Sequence, residues 1–477
     1  MPEFFHGALV LLVVILLFNL IIFVHELGHF LAARWRGLQI DRFQVWFGKP
    51  IWKKTVNGVQ YGLGWLPAGG FVALPQMAPM ESIEGKNGDG RALPPVKPID
   101  KIIVAFAGPL FSLLLALLGG LIVWGVGKPR DIIPTTVVGA VMEDSPAEKA
   151  GFQPGDRILT VDGESVPWFQ GDFAGVVEKV MLTKSEKIAF EVERDGKPLT
   201  LTSSFDLPQT AWYQRRGLPQ VGIAPASPVV IGSLLQGNNP GPAERAGLKV
   251  GDEIIEIDGE KIYGTARVMQ ILKKKGENPI DLTVKRGGKM ISVTLTPLVP
   301  EGDFYEKPMV GIGFDPKGMV ETKRLYPNPI EQVRDSLRQM WLTISSVASP
   351  KSNIGVDQLA GPVGIATMKY KLLMMEDGWA RIMAFFVLFN VNLAVLNMLP
   401  FPVLDGGHVL MALSEIIARK PLPARFLEVV QTAFALVLMG FFFFVTTKDF
   451  GALVPGEKEE KAPPLVWPAE PSGEAAD

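Results

Sequence analysis

The sequence predicts a multi-span α-helical membrane protein, with four transmembrane helices and a β-hairpin, joined to two small α+β domains. Three observations carry this. Mean hydropathy is +0.24 and 48% of the 477 residues are hydrophobic, too apolar for an ordinary soluble chain and too polar for a pure transporter. Four stretches are long and apolar enough to cross a bilayer, around residues 7–33, 101–127, 380–399 and 424–446. A segment between the second and third of them occurs twice.

The first stretch follows residues that carry Glu3 and no Lys or Arg, and it is too long for a signal h-region, so it reads as a retained span. After it come Arg34, Arg36, Arg42, Lys49, Lys53 and Lys54, and the third and fourth spans are separated by Arg419, Lys420 and Arg425. Both basic loops are expected in the cytoplasm. The N-terminus, the segment 128–379 and the tail after 451 then lie outside. Residues 61–74 (YGLGWLPAGGFVAL) form an apolar, Gly-rich strand-turn-strand segment, within a hairpin expected at about 57–76.

In the outer segment, Ser145-Pro146-Ala147-Glu148-Lys149-Ala150-Gly151 through Asp162-Gly163-Glu164 recurs about 96 residues on (Ala147 to Ala243), as Gly241-Pro242-Ala243-Glu244-Arg245-Ala246-Gly247 through Asp258-Gly259-Glu260. Each copy reads as a short helix closed by Gly, a Gly-Asp turn, an apolar strand and an Asp-Gly hairpin. The expected domains are 1–127 for spans one and two, 128–220 and 221–300 for the repeats, 301–379 for a linker with an amphipathic helix, and 380–450 for spans three and four. The tail 451–477 is acidic at Glu457–Glu460 and Pro-rich, and reads as disordered.

Net charge is −2, so no overall basic field points to nucleic acid. Cysteine is absent, which excludes disulfides and thiolate ligands and restricts any metal site to His and carboxylate. The chain has four histidines, and two of them fall in Phe23-Val24-His25-Glu26-Leu27-Gly28-His29, inside the first span. Polar groups in hydrocarbon need a reason. On a helix, positions four apart share a face, about 6 Å apart along the axis. Two neutral imidazoles at that spacing grip one Zn²⁺, with Glu26 beside them to take a proton from water. The alternative is a buried polar cluster without metal.

Two histidines leave a catalytic zinc one ligand short. In the third span the run Asn392 to His408 breaks at Pro400 and Pro402, and Asp405 follows the break. A broken membrane helix is tolerated where it lines a cavity, and Asp405 there is a candidate third ligand. Its alternative role is to cap the helix that follows. His408, almost one turn further, competes as ligand and is expected outside the ligand set or solvated.

The two motifs, with the repeat between them, make the chain resemble the site-2 protease family of intramembrane zinc metalloproteases (peptidase M50), in its bacterial regulator-of-sigma-E branch. The repeats resemble PDZ domains, whose Ala-Gly-Leu-x-x-Gly-Asp and closing Asp-Gly they carry. The resemblance runs from span one to span four. It implies that His25, His29 and Asp405 hold zinc, that Glu26 is the catalytic acid/base, and that Asn392 and Asn397 lie near substrate. It also implies a membrane-associated β-hairpin, with Gly69, Gly70 and Phe71 on the strand that receives substrate. Leu359–Ala366 resembles the segment that precedes the third span in the family. One departure is Ser112, where members commonly carry Asn. A hydroxyl can replace the amide as donor there.

The expected function is therefore hydrolysis, near the cytoplasmic face, of a peptide bond in or near the transmembrane segment of a single-span membrane protein. By resemblance that substrate is an anti-sigma factor already trimmed outside. The partners are membrane-protein substrates, the lipid bilayer, and peptides or chain termini at the PDZ domains, in a bacterial inner membrane. A competing reading is a membrane-anchored PDZ scaffold with a vestigial metal site; the intact His25, Glu26, His29 and Asp405 argue against it. A transporter is weaker still, because four spans offer no repeated bundle halves.

Overall fold

The computed structural model describes residues 2–77, 96–302, 304–315, 318–419, 424–453 and 463–468. Lys420 and the acidic run Glu457–Glu460 fall outside them. The chain forms two compact units: Met1–Pro129 with Arg324–Ser345 and Leu359–Gly451, and Arg130–Lys323 with Ser346–Gln358 and Ala452–Asp477.

The first unit holds helices α1 (Pro2–Arg36), α2 (Pro98–Val126), α3 (Pro329–Ala348), α4 (Pro362–Met374), α5 (Gly378–Asn397), α6 (Asp405–Ala418) and α7 (Ala424–Leu453). By length and composition, four helical segments among the described residues can cross a membrane: Gly7–Arg36, Pro98–Val126, Gly378–Asn397 and Val429–Leu453. They coincide with the stretches expected. Helix α2 is central, with α1, α5 and α6 packed on it. Glycines set the close approach, as in other membrane helix pairs. A Cβ on Gly28 would lie 2.5 Å from the Ala107 carbonyl oxygen, and one on Gly119 would lie 3.2 Å from the Phe386 ring. At the helix ends, Arg36 pairs with Asp100 at 2.6 Å and Lys101 with Glu415 at 2.9 Å.

Asp449 of α7 is 2% exposed. A buried carboxyl near the end of a membrane helix needs hydrogen-bond partners. Here the carboxylate accepts from the backbone N–H of Gly364 at 2.7 Å and of Gly361 at 3.3 Å, at the start of α4. Those donors are the ones a helix leaves free at its N-terminus, so the buried charge caps α4.

Strands β1 (Arg42–Val56) and β2 (Val59–Ala73) form the expected antiparallel hairpin. It turns at Asn57-Gly58, both at positive φ, as a two-residue hairpin loop requires. The pairing is more elaborate than strand-turn-strand. Residues 42–45 pair with 60–63 on one side and with 70–73 on the other. Strand β2 therefore doubles back through its glycines and Pro67, and residues 70–73 become an outer edge. Asn19 of α1 donates to the Pro67 carbonyl at 3.3 Å, holding the hairpin on the helix.

The second unit contains two modules of one design. In the first, strands Glu164–Ser165, Arg157–Val161, Ile188–Arg194 and Lys197–Ser203 form an antiparallel sheet in that order. Glu260–Lys261, Glu253–Ile257, Ile280–Arg286 and Lys289–Leu295 repeat it. Each Asp-Gly turn has both residues at positive φ. Each module also carries the same latch. Arg194 grips Asp156 through two hydrogen bonds, 2.6 and 2.7 Å, and Arg286 grips Asp252 with two at 2.7 Å. Hydrogen bonding from Arg286 holds the Asp252 carboxyl below its usual range.

The module boundaries lie later than 220 and 300. Val221 and Ile223 pack in the first core, because strand Ile223–Pro225 pairs with Val138–Val141. Val310, Ile312 and Phe314 belong to the second core, because Ile312–Phe314 pairs with Ile231–Leu234. The tail also departs from its expected disorder at 463–468, where Trp467 is fully buried against the second module. Three consecutive apolar residues, Leu465 to Trp467, give that segment surface to bury despite its Pro-rich surroundings.

Candidate active site

The site lies within the first unit, in a cavity of about 390 Å³. Its walls include His25, Glu26 and His29 from α1, Gly70 to Leu74 from the hairpin, Val104 and Ala105 from α2, Asn397 from α5, and Asp405 and His408 from α6. His25, His29 and Asp405 each offer a ligand atom within 4.8 Å of the others. His25 Nε2 lies 3.2 Å from Asp405 Oδ2, and His29 Nε2 lies 3.3 Å from Asp405 Oδ1.

A backbone carbonyl fixes the tautomer of His29. His29 Nδ1 is 2.8 Å from the Val104 carbonyl oxygen, which only accepts, so the proton sits on Nδ1 and Nε2 keeps its lone pair. His25 Nδ1 is 3.0 Å from Ser112 Oγ, a fully buried hydroxyl that can accept from that nitrogen or donate to it. The two Nε2 atoms face each other at 3.3 Å, that of His29 bare, beside a carboxylate whose buried Oδ2 makes no hydrogen bond among the described residues. Lone pairs and a negative charge converging on one point repel unless a cation lies between them. Two imidazoles and one carboxylate with an open position are the donor set of a catalytic zinc, so the residues fit the metal.

Asp405 reaches the site because the chain breaks before it. Helix α5 ends at Asn397, and α6 begins at Asp405 with Leu404 as its N-cap. Asp405 is thus not the capping residue, and its carboxylate is free for the cavity. Gly406 and Gly407 make the junction compact. A Cβ on Gly406 would overlap the carbonyl oxygens of Met398 and Leu399, and one on Gly407 would overlap that of Phe401. In α2, Pro109 withholds the N–H that would bond the Ala105 carbonyl on the cavity wall. A Cβ on its neighbour Gly108 would overlap His29 Nε2.

Glu26 lines the cavity together with Val72, on the outer edge of the hairpin. The Asn397 amide lies 3.5 Å from His25 Nε2. Asn392 is not brought to the cavity. Five helical positions are about 140° around the axis, so the two asparagines cannot share a face. Gly69 also stays off the cavity wall; its positive φ and missing side chain leave room for the Phe47 ring. His408 lines the cavity but stands outside the ligand cluster. The sequence reading missed Gly108 and the Val104 carbonyl, since their contacts cross between elements far apart in the chain.

Peptidase family M50 matches residues 13–441. The chain belongs to that family. It is 27% identical over 462 residues to the regulator of sigma-E protease RseP of Escherichia coli, covering 91% of this chain and 97% of that one. A regulator of sigma-E protease RseP of Salmonella typhimurium matches at 27% over 463 residues, covering 92% and 98%. A candidate zinc metalloprotease of Vibrio cholerae is 28% identical over 437 residues, covering 87% and 92%. The M50 match includes His25, Glu26, His29 and Asp405.

Proposed function

We propose that this chain is an intramembrane endopeptidase of the site-2 type, cutting single-span membrane proteins of the anti-sigma-factor kind in or near their transmembrane segment. The observation that supports this is one cavity holding the His25–His29–Asp405 cluster, Glu26 and the outer edge of the hairpin. His25 Nε2, His29 Nε2 and an Asp405 oxygen would hold the zinc. Bound there, the metal supplies Lewis acidity toward water and a carbonyl oxygen.

The chain's own residues do the rest. Glu26 accepts a proton from water as the water oxygen bonds to the scissile carbonyl carbon. When the C–N bond breaks, the same carboxyl returns the proton to the leaving nitrogen. Asn397 offers an amide donor to a substrate carbonyl on the cavity wall. A helical substrate hides its carbonyls in hydrogen bonds, so it must unwind before it is cut. The edge at Gly70–Ala73 presents backbone groups that pair with an extended strand, and Gly70 and Phe71 stand on it. Such a strand would run past Glu26, which lines the same cavity as the Gly70–Ala73 edge.

The two modules read as tandem PDZ domains on the extracytoplasmic side, acting before chemistry by binding substrates or excluding those with bulky outer domains. The basic residues after span one support that orientation in a bacterial inner membrane. The test is to reconstitute the protein with a single-span reporter and map the new termini by mass spectrometry. A cut within the span, toward its cytoplasmic end, is expected. Cleavage confined to the reporter's soluble outer part overturns the reading.

A further inference from the structure

The segment Pro463-Pro464-Leu465-Val466-Trp467-Pro468 follows the last span and is fastened to the second module. The Trp467 backbone N–H donates to Asn238 Oδ1 at 2.8 Å, and its carbonyl accepts from Asn239 Nδ2 at 2.9 Å. The indole Nε1 donates to the Leu235 carbonyl at 3.3 Å. The Val466 carbonyl accepts from the Glu301 N–H at 2.8 Å, and that of Pro463 from the Tyr305 hydroxyl at 2.6 Å. Arg245 Nη2 donates to the Pro468 carbonyl. The indole itself is fully buried.

The two modules differ at the place where this ring sits. In the first, Ser145 caps helix Pro146–Lys149, its Oγ accepting from the Glu148 N–H. The Ser145 side chain fills the space over Gly222, where a Cβ would overlap it. In the second, the residue at the Ser145 position is Gly241, and helix Pro242–Arg245 has no side-chain cap. The place of Gly222 is taken by Gly311, since Ala147 N–H donates to the Val221 carbonyl as Ala243 N–H does to that of Val310. The space that Ser145 occupies in the first module is thus vacated in the second, and Trp467 fills it. A Cβ on Gly237, Gly241 or Gly311 would lie 2.6, 3.0 or 3.1 Å from the indole. Giving up a side-chain cap costs about 1 kcal/mol, and three glycines give the module no packing of its own there. Both are explained by a ligand that supplies a large aromatic ring.

We propose that the second module carries a binding site for an extended, proline-flanked segment anchored by an aromatic ring, and that residues 463–468 occupy it in cis. The prolines restrict the segment to an extended backbone before it binds, which lowers the ordering cost. The covalent connection to α7 raises the local concentration of the segment into the millimolar range.

The absence of cysteine makes the test clean. The full-length chain carrying Glu301→Cys and Val466→Cys has a single thiol pair, at positions whose backbone N and O are 2.8 Å apart. Mild oxidation or a short bis-maleimide is expected to link 301 to 466 within one chain in most molecules, as read by mass spectrometry of the digest. Adding Trp467→Ala is expected to lower the yield at least about tenfold, as loss of a buried aromatic anchor does, while Trp467→Phe retains most of it. A pair that does not link, links only between chains, or links equally well with Trp467→Ala overturns the proposal.

Discussion

His25, Glu26 and His29 stand on a continuous helix, whereas Asp405 stands just past a break. On α1, 3.6-residue periodicity alone puts both imidazoles on one face, and the neighbouring helix only has to hold the rings through Val104 and Ser112. Asp405 depends on its surroundings much more. The chain must leave α5, turn through Pro400 and Pro402, and restart with two glycines packed on exposed carbonyls. One half of the site is therefore set by local helix geometry and the other by tertiary packing. Loss of a ligand should act alike on both halves, while small steric changes should act through the packing that positions each one.

The largest effect is expected from Asp405→Ala, which removes the ligand from the broken half. Zinc content of the purified protein should fall from about one per chain to under about a tenth, and cleavage of a single-span reporter by at least about 1,000-fold. Zinc retained at the wild-type level would mean that the helical half suffices. Gly406→Ala and Gly108→Ala come next, since each puts a methyl group where the other side already has atoms, a carbonyl oxygen in one case and the His29 ring in the other. A shift of about 1 Å at a catalytic group costs roughly 100-fold. Cleavage should fall by about that factor while the chain stays folded by circular dichroism. Wild-type rates in Gly406→Ala would show the broken half to be more pliant than its packing suggests. Ser112→Ala is the mildest. It removes the hydroxyl behind His25 and should weaken zinc affinity by about 10-fold, measured by competition with a chelator, with cleavage restored by excess zinc.

The same contrast explains what was legible in the sequence. The spans, the His-Glu-x-x-His motif and the duplicated module are patterns within short windows, and the structure has them where the residues indicate. Asp405 was legible because the two prolines mark the break in front of it. Of the two asparagines expected near substrate, Asn397 lines the cavity and Asn392 points elsewhere, because the helix turns about 140° between them. Gly108 was invisible as a site residue. Its role is to leave room for a ring about eighty positions away, and a glycine in an apolar span looks the same whether or not something fills its space. Trp467 was hidden by composition, since a single aromatic anchor is lost in a tail otherwise rich in proline and acid.

The central claim is that the two halves hold one metal and that Glu26 moves the proton. Glu26→Gln keeps the shape of the side chain and removes its basicity. Wild-type and Glu26→Gln proteins, reconstituted side by side with one single-span reporter, should each carry about one zinc per chain, with cleavage in the variant reduced by about 1,000-fold or more. Cleavage by the variant at the wild-type rate, with zinc in place, would contradict the account.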